Sequence, residues 1–227
     1  MKKILLFLWL CSYSLHSYAQ ERHTIGVFRS FPTGKFGSSH LDGGGFAKSG
    51  WGFLLENNAK PKSFAKWLSL ATRFSYQKNE IDTKGLARKF TEVLGYETRI
   101  SDAAYEPITL LVGPQIELPL RRKLHLQLKS GFGVMFTKVN AFNITVFDPQ
   151  GAVLFEDVLD GSGNIPFAYM GGVQLRQGIT EKISVNLFTE YTSAKGKMGS
   201  KLGKIRIKPS EFDISTLSLG LSLRFDF

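Results

Sequence analysis

Residues that could do chemistry fall in three places along this chain. Ser38-Ser39-His40-Leu41-Asp42 sets hydroxyls beside an imidazole and a carboxylate, the ingredients of an activated nucleophile. Its members are sequence neighbours on a Gly-flanked stretch, whereas such a relay needs a rigid frame, so a polar loop is the simpler reading. The second set is Lys48, Glu56, Arg73, Glu117, Lys129, Arg176, Glu190, Arg224 and Asp226, which fall on the opposite parity from the large apolar residues. Charges enclosed by a narrow fold must pair or find water. They are therefore expected to form a plugging ion-pair network, with a narrow ion path as the alternative. Glu117 and Glu190 are expected to pair with Arg or Lys neighbours. The third set is Lys195, Lys197, Lys201, Lys204, Arg206 and Lys208, with no acid until Glu211. Such a cluster can grip lipid phosphates or an acidic polymer. His23 and His125 stand near no second ligand-type residue, so neither a metal site nor a cofactor is expected.

The elements that must position these residues are strands. From Leu217 to Phe227 every odd position is large and apolar and every even one is small, polar or charged. Alternate side chains of a strand point to opposite faces, so this segment has one oily and one wet face. Seven further segments repeat the pattern: Thr24 to Thr33, Gly45 to Glu56, Phe64 to Gln77, Pro107 to Leu118, Leu124 to Thr137, Phe167 to Ile179 and Ile183 to Thr192. Their connections alternate in length. Those after the second, fourth and sixth segments are short. Those over 34–44, 78–106, 139–166 and 193–213 are long. The spacing predicts an all-β fold, an eight-stranded antiparallel up-and-down transmembrane β-barrel with short periplasmic turns and long extracellular loops. A soluble lipocalin-like barrel, with the apolar face turned inward around a ligand, is the competing architecture.

Within the long connections, Phe142 to Glu156 reads as a hairpin around Asp148-Pro149-Gln150-Gly151. It would extend the fifth and sixth strands, and it leaves eight or ten strands open. Gly85 to Gly95 reads as a turn or two of helix. Trp51, Phe74, Tyr76, Phe136, Tyr169 and Tyr191 fall near strand ends, where lipid-facing aromatics form girdles. Trp67 falls on the inward parity.

Lys2 and Lys3, the apolar run Ile4 to Leu10 and the small Ala19 read as a secretory signal peptide over 1–19, leaving a barrel domain over 20–227. The single cysteine, Cys11, would leave with it, so disulfides, thiolate metal sites and a Cys nucleophile are not expected in the mature chain. The net charge of +10 does not imply nucleic acid in an exported chain.

With its terminal Leu219-Gly220-Leu221-Ser222-Leu223-Arg224-Phe225-Asp226-Phe227, its Gly113-Pro114-Gln115-Ile116 strand before a basic turn and its signal segment, the chain resembles the small outer-membrane β-barrel domains of OmpA or OmpX type. The resemblance implies residence in the outer membrane of a Gram-negative bacterium, among lipid and lipopolysaccharide. It also implies that Phe225 and Phe227 are read as a sorting signal by the barrel-assembly machinery. That fold hosts structural barrels, adhesins and lipid enzymes alike. The expected role is a non-enzymatic barrel whose loops contact surface or extracellular partners. The alternatives are a small-solute channel and a lipid-modifying enzyme.

Overall fold

The computed structural model describes residues 19–41, 44–61, 64–163, 165–202 and 205–226. The expected signal segment up to residue 18, together with Asp42, Lys204 and Phe227, lies outside the described residues. The elements run β1 (Ala19–Pro32), α1 (Gly34–Gly37), β2 (Gly50–Pro61), β3 (Leu68–Glu80), α2 (Thr83–Leu94) and β4 (Glu97–Ile100). There follow β5 (Ala104–Arg121), β6 (Leu124–Phe147), β7 (Val153–Gly163), β8 (Phe167–Gly178), β9 (Ile183–Leu202) and β10 (Ile205–Asp226).

Eight strands close a ring in the order β1-β2-β3-β5-β6-β8-β9-β10, every neighbour antiparallel. β10 returns to β1 in a register from Arg22↔Asp226 to Pro32↔Thr216. Closure removes the open edges that lipid would not tolerate. The parity of the sequence decides which way the wall faces. Val27 and Leu221 are 64% and 55% exposed, while Gln127, Asn186 and Arg224 on the inner parity are at most 1% exposed. Apolar outside and polar inside is the reverse of a lipocalin, so the soluble architecture is excluded. Trp67 lies just before β3 with its ring half exposed at the near rim, not packed inside as its parity suggests.

The far side is more structured than a set of loops. β6 runs on from the ring to Phe147, turns at Asp148–Ala152 and returns as β7. Asp148 Oδ1 accepts from the backbone N–H groups of Gln150 and Ala152 at 2.9 and 2.7 Å, and Gly151 takes the left-handed φ of 86° the turn requires. β7 does not continue into β8. It bridges β6 to β9, and β4 pairs with the other edge of β6, so both extra strands sit above the ring. The connection expected over 193–213 is mostly ribbon, with β9 and β10 paired up to Leu202↔Ile205 across an irregularity between Ile207 and Ser210. At the base of this ribbon Ala194 is buried against the plug.

α2 replaces the short helix expected over 85–95 and stops where Gly95 adopts φ 72°. At its start Asp82 pairs with Lys48 at 3.1 Å. That hydrogen bond from Lys48 holds the Asp82 carboxyl below its ordinary value. A depressed carboxyl stabilises the folded state above its unfolded pKa of about 3.9 and loses that contribution as pH falls through the lower, folded value. Relative to the intrinsic rate, which itself slows toward acid pH, amide exchange in α2 is therefore expected to accelerate below about pH 4 in the wild type. In Asp82→Asn it should be faster already at neutral pH. Both groups are well exposed, so the effect should stay below about 1 kcal/mol. An Asp82→Asn profile identical to wild type at every pH would show that the pair does not hold the helix.

Loop one, between β1 and β2, folds into the mouth. α1 carries Phe36 into full burial, where its ring meets Tyr105 edge-on at 5.0 Å. The Tyr105 hydroxyl donates to the Gly45 carbonyl at 2.8 Å. Phe46 sits at φ 51°, unusual for an aromatic residue. It is held there by its backbone N–H to Ser38 O at 3.0 Å and by Asp82 N–H to its own carbonyl at 2.7 Å. Phe36, Phe46, Ile81, Met135, Val139 and Phe142 form an apolar plug with Leu86 of α2 against it.

Candidate functional site

Below the plug the lumen is filled by two charged layers. In the middle layer Lys129 on β6 donates to both carboxylate oxygens of Glu56 on β2, at 2.8 and 2.9 Å. Asn58 adds a hydrogen bond to Glu56 at 3.0 Å. Arg73 on β3 lies 4.0 Å from Glu56 and pairs closely with Glu190 on β9. Its guanidinium also stands over the Phe188 ring at 5.7 Å. All four charged groups are buried, and two acids face two bases. Gly172 on β8 pairs with Glu190, and a Cβ there would overlap the Glu190 side chain. The void beside this quartet is about 10 Å³, room for about one water.

The lower layer gathers around Glu117 on β5. Arg176 grips its carboxylate with two nitrogens, at 2.8 and 2.9 Å. Gln127 donates at 2.8 Å and is itself bonded by Gln174 at 2.7 Å. Arg224 and Arg22 approach to 3.6 and 3.8 Å, and His125 Nδ1 lies at 3.2 Å. Asp226 receives Arg224 at 2.9 Å and Arg22 at 3.4 Å. Phe28, Leu54 and Phe188 form a small apolar cluster beside the middle layer, with the Arg73 guanidinium over the Phe188 ring.

Eight of the nine charges singled out in the sequence thus lie inside the barrel. Lys48 does not. It follows loop one at the far rim, half exposed, with Asp82 as its partner, because residues 45–49 precede β2 and the strand parity does not reach them. Sequence reasoning misses Arg22 because the first alternating segment begins at Thr24, although the two share a parity. It misses the uncharged linkers Asn58, Gln127 and Gln174 because only their partners reveal them. No group of His, Cys, Asp and Glu among the described residues could hold a metal. Ser38 Oγ accepts from the backbone N–H of His40 at 3.3 Å, a local turn on an exposed loop, and Asp42 is outside the described residues. Lys195 is exposed on β9, whereas the side chains of Lys197, Lys201, Lys204, Arg206 and Lys208 lie outside the described residues. Phe225 pairs with His23 and Ile183 at the near rim.

No protein-family model and no curated protein matches the sequence. Among solved structures, the chain is similar to Neisserial surface protein A, with a TM-score of 0.50 at 9% identity, covering 91% of this chain and 97% of that one. A major outer membrane protein from Thermus thermophilus gives 0.49 at 13% identity over 91% and 99%. Outer membrane protein W of E. coli gives 0.48 at 13% identity over 93% and 100%. At such identities the first likeness shows the fold alone. The outward apolar belt supplies the rest, since barrels of even strand number with this polarity belong to the outer membrane. The chain is a small eight-stranded β-barrel of the outer membrane.

Proposed function

We propose that this barrel is non-enzymatic and non-conducting, and that it acts through its folded extracellular cap. The observation that carries the reading is the double closure of the lumen, by the Glu56–Lys129 and Arg73–Glu190 pairs and by the Phe36 plug above them. An eight-stranded barrel is just wide enough for side chains to fill it, and a filled lumen leaves the far surface as the working face. There the β9–β10 ribbon carries in its sequence five of the six clustered cations, suited to anionic partners such as lipopolysaccharide phosphates or an acidic polymer. The half-buried Ser38, whose Oγ accepts the His40 backbone N–H, and the exposed His40 form a local turn, which supports the non-enzymatic part. Phe225 and Phe227 would be read by the assembly machinery during insertion.

In planar bilayers the purified protein is expected to give no conductance steps, and its gel band should shift on boiling as a closed barrel opens. Stable single-channel steps in the wild type would overturn the reading in favour of a small-solute channel. His40→Ala should leave lipid A and phospholipid profiles unchanged, and an altered profile would make the chain a lipid enzyme.

A further inference from the structure

A cleft of about 400 Å³ opens on the outer wall of the barrel, where the tops of β3, β5 and β6 meet the start of α2. It is lined by Lys48, Lys78, Lys84, Glu80, Asp102 and Asn140. Its height follows from the strand parity. Phe74, Tyr76, Lys78 and Glu80 succeed one another on the outward face of β3, so Lys78 stands about 7 Å above Tyr76. Tyr76 packs edge-on against Trp51 at 6.3 Å, and Trp51 is in register with Lys78. Lipid-facing aromatics mark the membrane interface. The cleft therefore opens at the level of the outer-leaflet headgroups, directly above the lipid-facing Ile108, Leu110 and Phe136.

Its charges are unusual in being held apart. Lys48 is engaged by Asp82, but Lys78, Lys84, Glu80 and Asp102 make no ion pair among the described residues, although they line one space. A bare anion would want cations alone. Two cations beside two carboxylates suit a ligand that carries phosphate and hydroxyl groups together, while the Asn140 amide already donates to Glu106 at 3.2 Å. The volume falls in the range of small-ligand sites.

We propose that this cleft holds the phosphorylated sugar headgroup of a glycolipid in the surrounding leaflet. Lys78 and Lys84 bind the phosphate, and Glu80 and Asp102 accept hydrogen bonds from sugar hydroxyls. The acyl chains run down the apolar wall beneath. The assignment rests on the outer-membrane placement but not on the closed lumen or on the extracellular partner.

The test uses the detergent-solubilised mature barrel with Trp67→Phe, which leaves Trp51 as its tryptophan reporter. Lipid A, dephosphorylated lipid A and inorganic phosphate are titrated against Trp51 emission. Lipid A should bind with a saturable shift and dephosphorylated lipid A at least about tenfold more weakly, the loss expected from one charge-assisted hydrogen bond. Lys78→Ala with Lys84→Ala should weaken lipid A by a similar factor. Lys123→Ala with Lys182→Ala, the same charge change at the opposite rim, should not. Equal binding of the two lipids, or an unchanged Lys78/Lys84 variant, would overturn the site. Inorganic phosphate saturating the signal at the same concentration would overturn the lipid as its source. The Lys78/Lys84 variant should keep the heat-dependent gel shift and the silent bilayer trace, so failure here is separable from failure of the closed-barrel reading.

Discussion

Glu56→Ala is expected to destabilise the barrel by about 3–5 kcal/mol, the cost of leaving buried charge without its partner. Lys129, itself buried, loses both of its carboxylate hydrogen bonds, and Asn58 loses its acceptor. Arg73 keeps Glu190, so the damage concentrates on the ammonium. The size of the effect comes from the orphaned cation more than from the worth of the pair. Glu56→Met with Lys129→Met should therefore recover most of the loss, because exchanging a whole buried pair for apolar groups is often near neutral. The measurement is the urea midpoint in detergent, with the temperature of the gel shift as a second readout. A Glu56→Ala midpoint equal to wild type would mean that water, not protein, solvates this layer. One acid from each layer offers a companion test. Glu117→Gln with Glu190→Gln should lower the midpoint as well, and unchanged stability together with unchanged conductance would remove the case for a network.

Phe36→Ala should be the second large change. Phe36 is fully buried, touches Tyr105 and lies at the centre of the plug. Truncating such a ring costs about 3–5 kcal/mol. Loop one keeps buried Phe46 and Ala47, the Tyr105–Gly45 hydrogen bond and backbone hydrogen bonds to Ser215, Glu80 and Asp82, but it loses its largest buried side chain. A loss of this size should undock the loop rather than unfold the ring. Amide exchange over 33–49 should rise sharply, and trypsin should cut after Lys35 or Lys48, while β1 and β2 stay protected. Bilayer recordings should nevertheless stay silent, because the Glu56–Lys129 and Arg73–Glu190 pairs lie beneath the plug. Conductance in Phe36→Ala would show that the plug alone closes the barrel.

The ring strands are legible because lipid and lumen impose a period of two on every segment that crosses the membrane. Leu217 to Leu223 is the clearest case, with each apolar residue outward and Ser218, Ser222 and Arg224 buried inward. Where that constraint ends the signal ends too. The upper β9–β10 ribbon breaks its alternation at Gly196, Gly199 and Pro209, so it reads as a loop. The plug is invisible for a different reason. Phe36 and Phe46 are isolated aromatics in a Gly- and Ser-rich stretch, and nothing local says that they turn into a mouth formed by β5, β6 and β8.

By itself, then, the sequence determined the class of fold, the orientation of each ring strand and the inward placement of Glu56, Arg73, Glu117, Lys129, Arg176, Glu190, Arg224 and Asp226. Those are consequences of side-chain alternation, which is a local property of the chain. Pairing, capping and the outer cleft depend on residues far apart in sequence. Glu56 meets Lys129 across 73 positions and Arg176 meets Glu117 across 59, contacts set by barrel register and the stagger between strands. Lys48 is drawn to Asp82 by the fold of loop one against α2, which no period records. Only closure of the ring decided which charges neutralise one another and which, at Lys78, Lys84, Glu80 and Asp102, line one cleft with no ion pair among the described residues.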